Sequence, residues 1–310
     1  MSRIITFLTG AILSHRNRCA CRALMVGLWT FSSVCFTPSS HAERPTLRVC
    51  TGSPTGHYYR VGQVIAKAIS QDANVVLVET RGSWENLGRI HNEVPQCDAI
   101  IAQDDAVAVY LFEHPDKIGK IERLLSLYQE HVQVMCNRHV KETSISQLDP
   151  DTRILTGAYG TGTFITWALI KRLNPDRYGV LRELEQGGAK ALKRLVDTQR
   201  PQCLIVVNAL AQGVMIRAHD DIGSELKLLN IADPSFQFPI NQAGVPRVLY
   251  RQVVVHKNVY PKLLEDHLTT QAVDAVFYIH SDWIRANPTI ADQLSRTLVK
   301  LQRSIQGAVD

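Results

Sequence analysis

The sequence predicts an α/β protein of two lobes, each a mostly parallel sheet flanked by helices, with a hinge and an interlobe cleft. Three observations carry this. Short β-branched runs alternate with longer stretches of helical period. That rhythm breaks once, near residue 124, and restarts near residue 153. Turns rich in Gly, Ser and Thr follow several of the strands, on the edge where open parallel sheets bind ligands. A chain of 310 residues, 45% apolar and 20% charged, has room for about two domains. Its ordinary composition excludes a wholly disordered, collagenous or coiled-coil protein.

The N-terminus decides what the charge of the chain means. Residues 1–42 hold Arg3, Arg16, Arg18 and Arg22 and no acid. An apolar run from Ala23 to Phe36 follows, then Ser40 and Ala42 as a small pair at −3 and −1. This is the layout of a cleaved secretory signal peptide, with cleavage after Ala42. The alternative is a membrane anchor, but the run is shorter than the ~20 residues a spanning helix needs. Without the four arginines, the 34 basic residues fall to 30 against 29 acidic ones. The formal +5 of the whole chain therefore belongs mostly to the export signal, and no nucleic-acid partner is expected. The expected product is a periplasmic, monomeric protein.

The elements then follow in order. Leu47–Cys50 is a short strand ending in the turn Thr51–Gly56. A helix follows with Val61, Val64, Ile65, Ala68 and Ile69 on one face. Val75–Val78 and Ala99–Ala102 are further strands, each followed by a helix, as in a parallel sheet covered on both faces. Leu124 to Arg138 carries a strand, and Ser144–Leu148 a short linking helix. At Arg153–Leu155 the alternation restarts, with Gly157–Thr163 opening a helix through Trp167 and Leu173. Later strands fall near Cys203–Val207, Leu226–Ile231 and Val248–His256, and the end, from about Pro261 to Ile305, reads as helical. The expected domains are 43–140 plus 252–310, with 141–251 inserted. Two linkers between lobes permit hinge closure around a ligand.

Four loops lie at strand ends: Thr51–Tyr59, Thr80–Asn86, Gln103–Asp105 and Gly157–Thr163. Free N–H groups and the helix dipole at such positions suit a carboxylate. Each loop alone reads sooner as a turn with a helix cap, but several from both lobes on one edge favour a binding cleft. Enzyme motifs are absent: no P-loop, no Gly-x-Ser-x-Gly elbow, no His-Glu-x-x-His, and no Cys-x-x-Cys in the mature chain. Asp104 and Asp105 read as helix-capping groups sooner than as the catalytic pair of a hydrolase. His131, Cys136 and His139 have a loose metal-ligand spacing that a strand explains more simply. No cofactor, metal or catalytic residue is expected. Trp84 and Trp167 read as packing residues.

Taken together, Cys50–Gly62, Glu79–Leu87 and Cys97–Asp104 carry a resemblance, extended by Leu127–Val132, Ser144–Leu148 and Gly160–Thr163. The ordered set resembles the TAXI family of solute-binding proteins of tripartite ATP-independent periplasmic (TRAP) transporters. The resemblance implies a type II-like periplasmic-binding-protein fold. It implies a small carboxylate-bearing ligand, glutamate-like or a dicarboxylate, and integral-membrane permease subunits as partners. Carried over by position, the contacts are Thr51, Gly52, Tyr58 and Tyr59, then Ser83, Asn86, Gln103, Gly160, Thr161 and Thr163. Arg60 and Arg81 depart from the family pattern; as extra cations they either strengthen carboxylate binding or face solvent. Asn208 replaces a glycine-containing turn. Two other outputs stay open: ligand sensing through a membrane receptor, and a periplasmic hydrolase.

Four cysteines remain after export: Cys50, Cys97, Cys136 and Cys203. An oxidising compartment permits disulfides, three full pairings are possible, and the strand positions suit free thiols as well, so one bridge is the expectation. Pro95-Gln-Cys97 and Pro201-Gln-Cys203 echo one another before two apolar strands.

Overall fold

A computed structural model describes residues 44–242 and 245–309. The proposed signal peptide lies outside them. The chain begins as the sequence predicts. Strand β1 (Thr46–Cys50), helix α1 (His57–Ala68), β2 (Asn74–Val78), α2 (Ser83–Ile90), β3 (Ala99–Gln103) and α3 (Asp104–Glu113) alternate. β1 pairs in parallel with both β2 and β3. Of the face seen in the sequence, Val61, Ile65 and Ile69 are buried and Val64 half-buried, while Ala68 is exposed.

β4 (Ile121–Asn137) is the break in rhythm. After it come β5 (Arg153–Leu155), α4 (Gly162–Leu173), the short α5 (Pro175–Tyr178), β6 (Arg182–Leu184), α6 (Gly188–Asp197), β7 (Gln202–Asn208), α7 (Gly213–Ile222) and β8 (Leu226–Leu229). β5 pairs in parallel with β6 and β7. A separate antiparallel pair, β9 (Ile240–Gln242) and β10 (Val245–Arg247), precedes β11 (Tyr250–His256). β12 (His267–His280), α8 (Ser281–Ala286), α9 (Pro288–Lys300) and α10 (Gln302–Val309) complete the chain.

Among the described residues, ten strands form one sheet with the main order β2-β1-β3-β12-β4-β7-β5-β6. Two parallel three-strand runs thus flank two long antiparallel strands. β4 pairs with β12 from Ile121 to Val132, then with β7 from His131 to Cys136. β12 pairs with β11 through Val273 and with β3 from Ala275 to Ile279. β4 therefore passes from β12 to the second parallel run, and β12 passes from β11 to the first.

The segment after Pro261 is not helical throughout, because His267–His280 forms the 14-residue strand β12. From Ala275 to His280 every residue is buried. A strand covered on both faces loses its alternation, and periodicity alone does not separate it from a buried helix.

Two disulfides are present instead of one: Cys50–Cys97 and Cys136–Cys203. Cys136 and Cys203 sit opposite one another in the β4–β7 ladder, with Cα atoms 4.0 Å apart. Cys136 is therefore unavailable as a metal ligand. Among the described residues no cluster of His, Cys, Asp or Glu is arranged to hold a metal ion.

Candidate functional site

The strand-end loops converge on a cavity of about 240 Å³. That is below the ~300–1,000 Å³ usual for drug-sized ligands, so it suits a small solute. From the first half of the sheet come Gly52, Gly56, His57, Tyr58, Gly82, Ser83 and Gln103; from the second come Thr161, Gly162, Thr163 and Val207. Glu130, on the shared strand β4, completes the wall.

Four helices start at this cavity, with Gly56, Gly82, Gln103 and Thr161 as N-caps of α1, α2, α3 and α4. α1 follows Gly56 and α2 follows Gly82, and neither has a side-chain cap. Their first-turn N–H groups have no intrahelical acceptor and carry the positive end of the helix dipole. Gly82 has φ 116°, a left-handed conformation that glycine adopts without a Cβ penalty. α4 is capped differently: the Thr161 hydroxyl accepts the Phe164 N–H at 3.3 Å. Thr163 Oγ1 accepts the Val207 N–H at 3.1 Å, tying α4 to β7.

The first-half residues lock one another. Ser83 Oγ accepts the Gln103 N–H at 3.1 Å and lies 3.3 Å from the Tyr58 hydroxyl. The Gln103 amide is 1% exposed, and its Nε2 donor is buried with no partner in the protein. Its Oε1 lies so close to Gly162 that a Cβ there would overlap it, so glycine is what lets the second half approach.

Glu130 is the feature that the sequence reading did not single out. It is 6% exposed, and the hydroxyls of Tyr58 and Tyr128 donate to its two oxygens at 3.4 and 3.2 Å. Burial pushes its carboxyl up to about 8, with Asp105 nearby adding to the rise and the two tyrosines opposing it. Near neutral pH this carboxyl is largely protonated. The available signal was Tyr128-x-Glu130 on a strand, where period two puts both side chains on one face. No Lys or Arg is among the described residues that line the cavity.

Other predicted residues stand elsewhere. Thr51 is fully buried, its N–H donating to the Val78 carbonyl at 3.0 Å. Asn86 is a buried strut: its Nδ2 donates to the carbonyls of Thr51 at 2.6 Å and Ile101 at 2.8 Å. Tyr59 and Arg60 are half-buried and do not line the cavity. Arg81 points into solvent, with its side chain 90% exposed and paired with Glu85 at 3.0 Å. Gly160 lies outside the cavity against Trp84, whose ring packs edge-on against Tyr110.

Asp104 and Asp105 also lie outside it. Tyr278 donates to Asp104, as does Arg247 at 3.0 Å. Asp105 accepts from Thr166 at 2.6 Å and from Tyr250 at 2.8 Å, and burial pushes its carboxyl up to about 6. They bind elements of the two halves together and do not face a common substrate position.

A small polar cavity thus lies at the strand ends of a two-halved α/β sheet, with walls from both halves. The chain belongs to the NMT1-like family, whose pattern it matches over residues 49–287. No curated protein matches the sequence. Among solved structures, it is similar to a TctC solute-binding protein from Polaromonas, crystallised without ligand. That likeness has a TM-score of 0.51 at 14% identity and covers 87% of this chain and 89% of that one. It is also similar to SsuA of Methylobacillus flagellatus, a periplasmic sulfonate-binding protein of a putative sulfonate ABC transporter. Here the TM-score is 0.50 at 10% identity, over 83% of this chain and 68% of that one. At such identities the likeness shows the fold. Among the described residues no helix is long and apolar enough to cross a membrane.

Proposed function

We propose that this protein is the periplasmic solute-binding subunit of a TRAP-type secondary transporter, capturing a small organic anion, glutamate-like or a dicarboxylate. One observation carries the reading: two uncapped helix starts and the unpartnered Gln103 donor converge on a small cavity closed by α4 from the other half. Such donors replace the hydration of a carboxylate without any cationic side chain. A protonated Glu130 adds a further donor where an ionised one would repel the ligand.

Capture then requires the halves to part and close. The motion bends β4 and β12 where they cross from one half to the other, near Glu130–Val132 and Gln271–Val273. The solute's differential affinity for the closed form sets how far the equilibrium shifts. The closed form docks on the permease, and an ion gradient drives transport. The TAXI resemblance and the export signal support this placement, as does the solute-binding role named for the Polaromonas neighbour.

Thermal unfolding with glutamate, 2-oxoglutarate and C4-dicarboxylates tests the ligand. A solute that binds only the folded state raises stability by about 2.7 kcal/mol at a hundred times its Kd. No shift with any carboxylate at millimolar concentration sinks the anionic-ligand reading.

A further inference from the structure

The N-terminal edge of the second parallel run carries a second depression, of about 340 Å³, lined by Asp151, Arg153, Arg182, Arg200, Pro201 and Gln202. It lies at the starts of β5, β6 and β7, whereas the solute cavity lies beyond the opposite ends of β5 and β7. We propose that this depression binds a phosphate group.

Register makes the case. Arg153 on the central strand β5 is paired directly with Arg182 on β6, and with Gln202 on β7. Like charges directly opposite one another across strands are destabilising. Arg200 adds a third guanidinium from the chain just before β7. The one acid in the lining, Asp151, bonds Arg182 at 2.7 Å with its own side chain 76% exposed. The equivalent place in the first half is neutralised: Arg48 on the central strand β1 forms two bonds with Asp98, at 2.7 and 2.9 Å. The second half thus leaves guanidinium charge over, in the planar, multi-donor form that matches phosphate oxygens.

Gln202 narrows the choice of anion. It is 1% exposed, lines the depression, and its amide oxygen is buried with no partner in the protein. An unmet buried acceptor calls for a donor. Hydrogen phosphate brings anionic oxygens for the arginines and an O–H for Gln202. Sulfate at neutral pH has no O–H. A phosphate with an adjacent hydroxyl, as in a phosphatidylglycerol headgroup, has the same pair of features.

The test is calorimetric titration of the purified protein with inorganic phosphate and with sulfate, and flotation with phosphatidylglycerol vesicles. Phosphate is expected to bind at least tenfold more tightly than sulfate. Arg153→Gln with Arg182→Gln is expected to weaken phosphate at least tenfold and leave carboxylate binding in the cavity unchanged. If that double variant fails to fold, Arg200→Gln alone is expected to weaken phosphate in the same direction. Flotation that free phosphate competes away assigns the headgroup as the source, and phosphate binding without flotation assigns the free anion. Three results overturn the proposal: neither phosphate binding at 20 mM nor flotation, equal affinity for sulfate, or phosphate binding that the arginine variants leave intact. Loss of phosphate binding in the cavity variant Ser83→Leu also overturns it, since the anion then sits in the solute cavity.

Discussion

The two parallel runs, β2-β1-β3 and β6-β5-β7, are built alike at one edge and unlike at the other. At the C-terminal edge both end in turns rich in Gly, Ser and Thr that open helices at the same cavity. Each half also has a disulfide holding a strand to its neighbourhood. At the N-terminal edge the first half seals its arginine with Asp98, while the second gathers three arginines around a single exposed acid. The difference teaches that the repeated edge answers to the shared cavity, which loops of both halves line. The other edge faces away from that cavity and is free to differ.

The largest expected effect tests the likeness of the halves. The bridges close 47 and 67 residues of sequence. Loop entropy grows slowly with length, so those separations differ by only about 0.3 kcal/mol. Replacing either pair of cysteines with alanine is expected to cost roughly 2–4 kcal/mol in urea unfolding. If removing one pair costs nothing while the other costs the full amount, the halves are not equivalent in what holds them.

The strand that the halves share supplies the next test. The carboxyl of Glu130 is raised in the folded state, from 4.5 to about 8. The sign follows from proton linkage. Its contribution to stability is complete below pH 4.5 and is lost as pH rises through 8. Asp105 acts in the same direction, but its loss is over by about pH 6. Between pH 6 and 9 the decline therefore belongs to Glu130. Glu130→Gln is expected to flatten it and to be more stable than wild type at pH 9 by roughly 2 kcal/mol, the scale of an unmet buried polar group. Parallel pH profiles of the two proteins would show instead that Glu130 is ionised throughout.

What the sequence could show divides along the same lines. The alternation of β1 to α3, the restart at β5 and the helix-opening turns at the strand ends were all legible, because each rests on local period or turn chemistry. β12 was not, since burial on both faces erased its alternation. In the site, Gly52, Tyr58, Ser83, Gln103, Thr161 and Thr163 come together at one cavity. Arg60 and Arg81 had sequence proximity to the loops in their favour, yet Arg81 extends into solvent toward Glu85. Sequence distance gives no side-chain direction at a helix start. Glu130 went unmarked because its significance depends on Tyr58, 72 residues away, and on burial that only the assembled sheet provides. The cysteine pairing was open for the same reason: Cys136 and Cys203 meet through the β4–β7 register, which turn chemistry does not specify.

The smallest effects address the unlike edges directly. Asp98 accepts three bonds from Arg48: the backbone N–H at 2.8 Å, Nε at 2.9 Å and Nη2 at 2.7 Å. Asp98→Ala leaves that guanidinium and N–H unmet, but the Arg48 side chain is 40% exposed, so water recovers part of the loss. A cost of about 1 kcal/mol is expected. Arg182→Gln removes an exposed ion pair with Asp151 and also relieves the like charge of Arg153. These oppose one another, and in phosphate-free buffer stability is expected to stay within about 0.5 kcal/mol of wild type. The contrast between the two variants is the measurement. A sealed edge suffers when its charge pair is broken, and an edge with charge to spare does not. Equal losses would mean that Arg182 and Asp151 seal the second edge as Arg48 and Asp98 seal the first.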